Sequence, residues 1–229
     1  MRPTRHDLLP GCLLCAALLA GATAACVPAK KPEASPVVVA IKPPSKADYW
    51  KRVASAGDID RIARLPSAWS TALGEARTRG AREEVRKEGR LLDPTAALAR
   101  PTPTPGSYSC RMIRLGSADE KAPAFERFKP FFCYVQEDGE LLTIIKQTGS
   151  QRPAGRLWED DDPTRLVYLG SLALGEEDGP KAYGEDPKRD MAGVLQRIAP
   201  FVWRLVIPWP RGNSRLDVYE LTPVAEQPK

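Results

Sequence analysis

The chain has 229 residues, of which 42 % are hydrophobic and 28 % charged, with 23 prolines and a net charge of +5; this suits one soluble core with an appendage. Its single histidine, His6, lies in a stretch that reads as a leader, which excludes Ser-His-Asp and Cys-His nucleophiles and histidine metal sites from the mature chain. The basic residues are interspersed with acids and form no long run, so nucleic acid is not an expected partner.

Residues 1–26 read as an export signal. Arg2 and Arg5 make a positive start, Leu8 to Leu19 an apolar stretch too short to span a membrane, and residues 20–25 a small-residue processing region. Thr23-Ala24-Ala25-Cys26 resembles a bacterial lipobox, with Thr23 where leucine is usual. Lipidation of Cys26 is the expectation, and a plain cleaved leader or an uncleaved anchor are the alternatives. Of the five cysteines, Cys12 and Cys15 would leave with the leader and Cys26 would be acylated, so that a pair remains. Residues 27–45 hold five prolines and read as an extended tether. The membrane is an expected partner only through Cys26.

Residues 46–95 read as a helical arm. Ser45 can cap a helix through Tyr49, Trp50 and Val53, and Asp58 a short turn with Ile59, Ile62 and Leu65. Pro66 can open a helix carrying Trp69, Leu73 and Ala76, and a charged helix after Gly80 has a thin seam of Val85 and Leu92. This is too little apolar surface for an independent core, so the arm should dock on the following domain through Trp50 and Trp69. Residues 96–106 are a second proline-rich linker.

From residue 107 to 224 the sequence predicts eight short strands: Ser107–Arg114, Phe131–Gln136, Glu140–Gln147, Arg156–Trp158, Arg165–Leu174, Met191–Ile198, Phe201–Ile207 and Arg215–Leu221, followed by a tail over 225–229. Glu137-Asp138-Gly139, Ala199-Pro200 and Arg211-Gly212-Asn213-Ser214 mark turns between them. The expected class is mainly β with an N-terminal helical arm: a small antiparallel eight-stranded barrel, with a two-sheet sandwich as the alternative. Cys110 and Cys133 fall on the more apolar faces of two strands, and a disulfide between them is expected. The chain-entropy model gives such a bridge roughly 3 kcal/mol. Two reduced core cysteines are the other reading. The connector from Ser117 to Pro130 is too polar to be ordered by burial.

The order of GSYSCR, FFCYV, KQTGSQRPAG, LVYLGSLALG, YGEDPKRDMAG and WRLVIPWP…LDVYEL resembles an uncharacterised family of exported bacterial proteins, domain of unknown function 4893. The resemblance runs from Trp50 to the C-terminus; it implies an envelope location and no known activity. In strand count alone the barrel is also similar to lipocalins and to small periplasmic inhibitors of secreted metalloproteases, which bears on fold and not on function.

Several residue groups could carry chemistry. Thr148-Gly149-Ser150-Gln151-Arg152-Pro153-Ala154-Gly155 could present backbone N–H groups and a guanidinium to an anion or partner, with Gly149, Ser150, Gln151 and Arg152 as the candidate residues; the plain reading is a tight turn with Arg152 bonded to carbonyls or carboxylates. Glu159-Asp160-Asp161-Asp162 could hold calcium but reads better as a solvated turn, and Glu185, Asp186 and Asp190 could supply paired carboxylates but read better as a polar loop. Arg204 and Arg215 are expected to pair across the ladder with Asp217 or Glu220, or to point inward and need a partner. No cofactor, metal or catalytic residue is expected. The leading reading is a non-enzymatic envelope protein that binds a protein or cell-envelope component. The alternatives are a lipocalin-like carrier with a cavity lined by Tyr108, Met112, Phe131, Leu142, Ile144 and Leu205, and a carboxylate hydrolase using Asp186 and Asp190. Strands of this length favour a filled core over a cavity.

Overall fold

The computed structural model describes residues 43–175, 177–210 and 212–225; the leader, Cys26, nearly all of the tether and the last four residues lie outside them. Period-two runs separated by turn residues build nine strands: β1 (Gly106–Ser117), β2 (Phe125–Arg127), β3 (Phe131–Asp138), β4 (Leu141–Lys146), β5 (Gln151–Glu159), β6 (Leu166–Leu174), β7 (Asp190–Ala199), β8 (Val202–Pro208) and β9 (Ser214–Pro223). All neighbours are antiparallel in the order β2-β1-β3-β4-β5-β6-β7-β8-β9, and β1 also pairs with β9. The sheet is therefore a closed eight-stranded barrel with one extra strand, as expected, and closure removes its free edges.

Two local expectations need correction. β5 starts at Gln151, not Arg156, because the segment read as a turn pairs residue for residue with β6, from Gln151↔Leu174 to Gly155↔Gly170. The polar 117–130 connector is ordered from outside by the arm and contains β2: Glu75 accepts the Ser117 N–H at 2.9 Å, and Arg79 donates to the carbonyls of Glu120 and Ala122. β2 and β3 follow one another along the same edge of β1. Their registers, Ile113↔Arg127 and Cys110↔Phe131, differ by one residue, so the segment Phe128-Lys129-Pro130 is a bulge. Proline, which has no N–H for the ladder, sits within it.

The arm comprises α1 (Lys46–Val53), α2 (Ala56–Ala63), α3 (Leu65–Thr78), α4 (Arg82–Lys87) and a 3-10 turn at Gly89–Leu92. Ser45 starts α1 as expected, its N–H donating to Asp48 at 2.7 Å. Ser55, not Asp58, caps α2: its hydroxyl accepts the Asp58 N–H at 3.1 Å, and Asp58 lies one turn inside the helix. The Ser55-x-x-Asp58 spacing is that of a capping box with Asp in the acidic position.

Docking of the arm makes an outer core. Trp50, Ile62, Trp69, Leu73, Val85 and Leu92 pack on the outward residues of β1, β6, β7, β8 and β9, among them Ile113, Val167, Val194, Val206 and Val218. Half of the barrel is thereby buried on both faces, which is why β6, β7 and β8 read as near-continuous apolar runs while β3 and β5 alternate. The acidic run is part of this docking and is not a solvated turn. Asp160 accepts Trp50 Nε1–H at 3.1 Å and Arg165 at 2.6 Å, and Asp161 accepts the Ala47 N–H at 3.3 Å. Acids here also face the positive end of the α1 dipole.

Among the described residues Arg204 has no carboxylate partner in an ion pair. It points out of the barrel and is fully covered by the arm, where it donates to Gln196 Oε1 at 2.9 Å and to the carbonyls of Leu91 and Asp93 at 3.0 and 2.6 Å, with Arg90 and Pro94 carbonyls at 3.3 Å. The Trp69 ring lies 4.9 Å from the guanidinium. Burial pushes its pKa down to about 10, so it stays charged at neutral pH. Arg215 pairs with Glu75 of the arm at 2.9 Å, leaving Glu220 to Arg111 and Asp217 to Arg114 at 3.3 Å. The outward alternation sends Arg204 and Arg111 towards helices that the strand pattern alone does not reveal.

Candidate functional site: the open end of the barrel

The inner core fills one end of the barrel. Tyr108 and Trp203 meet edge to face with ring centroids 5.9 Å apart, and their polar tips leave the barrel to bond the proline-rich linker: Tyr108 Oη–H to the Thr104 carbonyl at 2.6 Å and Trp203 Nε1–H to the Pro101 carbonyl at 2.9 Å. Val135, Leu157, Leu195 and Leu205 pack beside them. The Cys110–Cys133 disulfide lies inside as well, joining β1 to β3 with Cα atoms 6.0 Å apart. It runs diagonally, since Cys110 faces Phe131 and Cys133 faces Tyr108 in the ladder.

Towards the other end the same inward alternation changes character. On β1 the series Tyr108, Cys110, Met112 ends in Arg114; on β4 Leu142 and Ile144 are followed by Lys146; on β9 Leu221 and Tyr219 are preceded by Asp217. Between these ends lies a cavity of about 660 Å³, within the range of small-molecule sites. Met112, Phe131, Leu172, Met191 and Tyr219 form its apolar wall. The bulge contributes to the rim, where Phe128, Lys129 and Phe131 all line the cavity although strict alternation would turn one of the first two away. Beneath the cavity, Tyr168 lies over a facing glycine pair. A Cβ on Gly155 would stand 2.6 Å from the Tyr168 ring and 2.5 Å from Gly170 Cα, so only glycine admits the ring there.

The charges at this end divide into matched and unmatched. Arg114 pairs with Asp217 at 3.3 Å and lies 3.7 Å from Glu126. Asp217 also accepts the Ser214 hydroxyl at 3.0 Å, and burial outweighs these partners and pushes its carboxyl up from the ordinary value. Arg189 pairs with Glu177, and Asp186 lies 3.5 Å from it; the Arg189 hydrogen bond holds the exposed Glu177 carboxyl down at about 2. Burial pushes the Tyr168 and Tyr219 phenols up, so both stay neutral. Lys146 differs from all of these. Among the described residues it meets no carboxylate; its ammonium lies 4.4 Å from the centre of the Phe131 ring, and burial pushes its pKa down.

The residues singled out in the sequence separate here. Gly149 and Gln151 line the cavity, and Gly149, at φ +91°, is close enough to Lys146 that a Cβ would stand 3.6 Å from Nζ. Ser150 is exposed, and its carbonyl accepts the Gly175 N–H at 3.0 Å. Arg152 is turned to backbone carbonyls, those of Gly149 at 3.1 Å and of Gly175 and Glu177. It holds Gly175 and Glu177 against the 149 turn, and the cation that faces the cavity beside this turn is Lys146. Sequence reasoning passed over Lys146, although its position two residues beyond Ile144 and four beyond Leu142 already places it inside. Of the carboxylates in YGEDPKRD, Asp190 is buried and accepts the Gly184 N–H at 3.0 Å, Asp186 accepts the Lys188 N–H at 3.2 Å, and Glu185 is exposed. Asp186 and Asp190 thus shape their own loop, and Tyr183 ties it to the arm through Asp58.

The family model described as domain of unknown function (DUF4893) matches residues 50–221. No curated protein and no solved structure matches the chain.

Proposed function

The chain belongs to the family of domain of unknown function 4893, and on that premise we propose that it is an exported, non-enzymatic binding protein that takes a small component of the cell envelope into the open end of its barrel. The observation that carries the reading is the half-filled interior: one end is packed and bonded to the linker, while the other holds a cavity of about 660 Å³ with an apolar wall and a charged rim. The occurrence of a disulfide inside the barrel and the leader-like N-terminus support export. The carboxylates that could have served hydrolysis are engaged in holding a loop, which favours binding over catalysis.

Native mass spectra of the mature protein, gently purified from its own envelope, test this. A bound small molecule of defined mass is expected, and it should be lost from Leu172→Trp, which fills the cavity without removing a polar group. A bare protein mass that also fails to take up a neutral apolar probe would end the reading.

A further inference from the structure

Resting on that reading, we propose that the ligand is an amphipathic anion: an apolar chain or ring bearing one carboxylate or phosphate, whose head group meets Lys146 and whose body lies against Phe131, Met112, Leu172 and Tyr219.

The argument is one of charge matching. Among the described residues the cavity is lined by five cations, Arg114, Lys129, Lys146, Lys188 and Arg189, and two carboxylates, Asp190 and Asp217. Arg114 is answered by Asp217 and Arg189 by Glu177, while Asp190 is turned to the Gly184 N–H. The lysines have no ion-pair partner among the described residues. Lys129 and Lys188 are exposed and solvated at the rim, but Lys146 is half-buried between the Phe131 ring and the Gly149 turn. An ammonium held in that position has lost part of its hydration and gained a ring face in its place, a weaker partner than an anion. An anion beside it would restore a charge-assisted hydrogen bond. A cationic head would meet uncompensated positive charge, and a wholly apolar ligand would bury the ammonium without a partner, which is costly. A ligand with two separate anionic groups is disfavoured because the remaining lysines are exposed along the rim. The two apolar phenols, Tyr168 and Tyr219, stay neutral and add no competing negative charge.

Dodecanoate, dodecyl phosphate, dodecan-1-ol and dodecyltrimethylammonium share one chain and differ in the head, so calorimetric titration of the full mature protein with the four separates the head from the body. At least one anion is expected to bind about tenfold more tightly than the alcohol, and the ammonium compound not measurably; which anion wins distinguishes a carboxylate from a phosphate source. Lys146→Met keeps the side-chain length against Phe131 and should abolish the anion's advantage while leaving alcohol binding unchanged. Equal binding of alcohol and anions, or an advantage that survives Lys146→Met with a native circular dichroism spectrum, overturns the inference and leaves the cavity reading standing. Failure of all four, with no co-purifying mass, overturns both.

Discussion

Among the cations of the barrel wall that lie over aromatic rings, two, one on each face, are treated in opposite ways. Arg204 on the outer face is covered completely, with Trp69 at 4.9 Å and five acceptors from Gln196 and the carbonyls of residues 90–94 around its guanidinium. Lys146 on the inner face has Phe131 at 4.4 Å and no acceptor among the described residues. A buried cation whose acceptors come from the chain itself fixes structure; here the carbonyls at the end of the arm act as the counter-dipoles that would otherwise be water. A half-buried cation without acceptors marks a place left for something else. The outer core is finished by the arm, and the inner core is finished at one end only.

That contrast can be broken most forcefully at Arg204. Arg204→Met should lower stability by about 3–5 kcal/mol, because it strands several buried carbonyls and Gln196 at once, whereas Lys146→Met should fall within about 0.5 kcal/mol of the parent. Urea titration of both proteins provides the comparison, and similar losses would erase the distinction between the two cations. A smaller effect is expected at the floor of the cavity. Gly170→Ala would set a Cβ 2.3 Å from the Ala154 carbonyl oxygen and 2.6 Å from Tyr168 Oη, so roughly 1–3 kcal/mol of overpacking should appear in thermal unfolding; a neutral result would mean that the β5 backbone as well as the Tyr168 ring has room to give way.

The smallest effect concerns pH. Because burial holds the Asp217 carboxyl above its ordinary value in the folded state, its proton is bound more tightly when folded than when unfolded. Its contribution to stability is therefore complete below the unfolded value, near 3.9, and is lost as pH rises through the folded value. Asp217→Asn should be at least as stable as the parent at pH 7, and its relative advantage should shrink on acidification to pH 4. An advantage that grows with acidification would show that Arg114, not burial, governs this carboxyl.

Much of this was legible in the residues. Eight of the nine strands, the closure and the Cys110–Cys133 bridge follow from period-two alternation and from turns such as Glu137-Asp138-Gly139. The near-continuous apolar runs of LVYLGSLAL and VWRLVIP carried the further message that one side of the barrel is covered twice. Less legible were features that depend on partners distant in sequence. Nothing near the Ser117–Pro130 connector announces Glu75 and Arg79, which order it, and nothing near Arg204 announces carbonyls more than a hundred residues earlier in the chain. The candidate anion turn lies beside the cavity, but its arginine is drawn off by carbonyls at Gly175 and Glu177, which no local pattern reveals. Lys146 could have been found by carrying the inward series of β4 one step past its last apolar member.

The bulge at Phe128-Lys129-Pro130 makes the parity of a short segment decisive. Upstream of it, Phe125 packs into the outer core, Arg127 reaches Glu88 of the arm, and Glu126 turns inward to Arg114. Were the strand to run straight through at its present length, Arg127 would share a face with Phe131: Phe125 and Arg127 would face the lumen and Glu126 the helices. The extra residue of the bulge prevents this, and removing one residue there would bring the registers of the two segments into line while leaving these faces as they are. In this protein, then, part of the information that builds the rim resides in whether a count is odd or even, and a single-codon deletion there would flatten the rim around Phe128 and Lys129 while sparing the faces on either side of it.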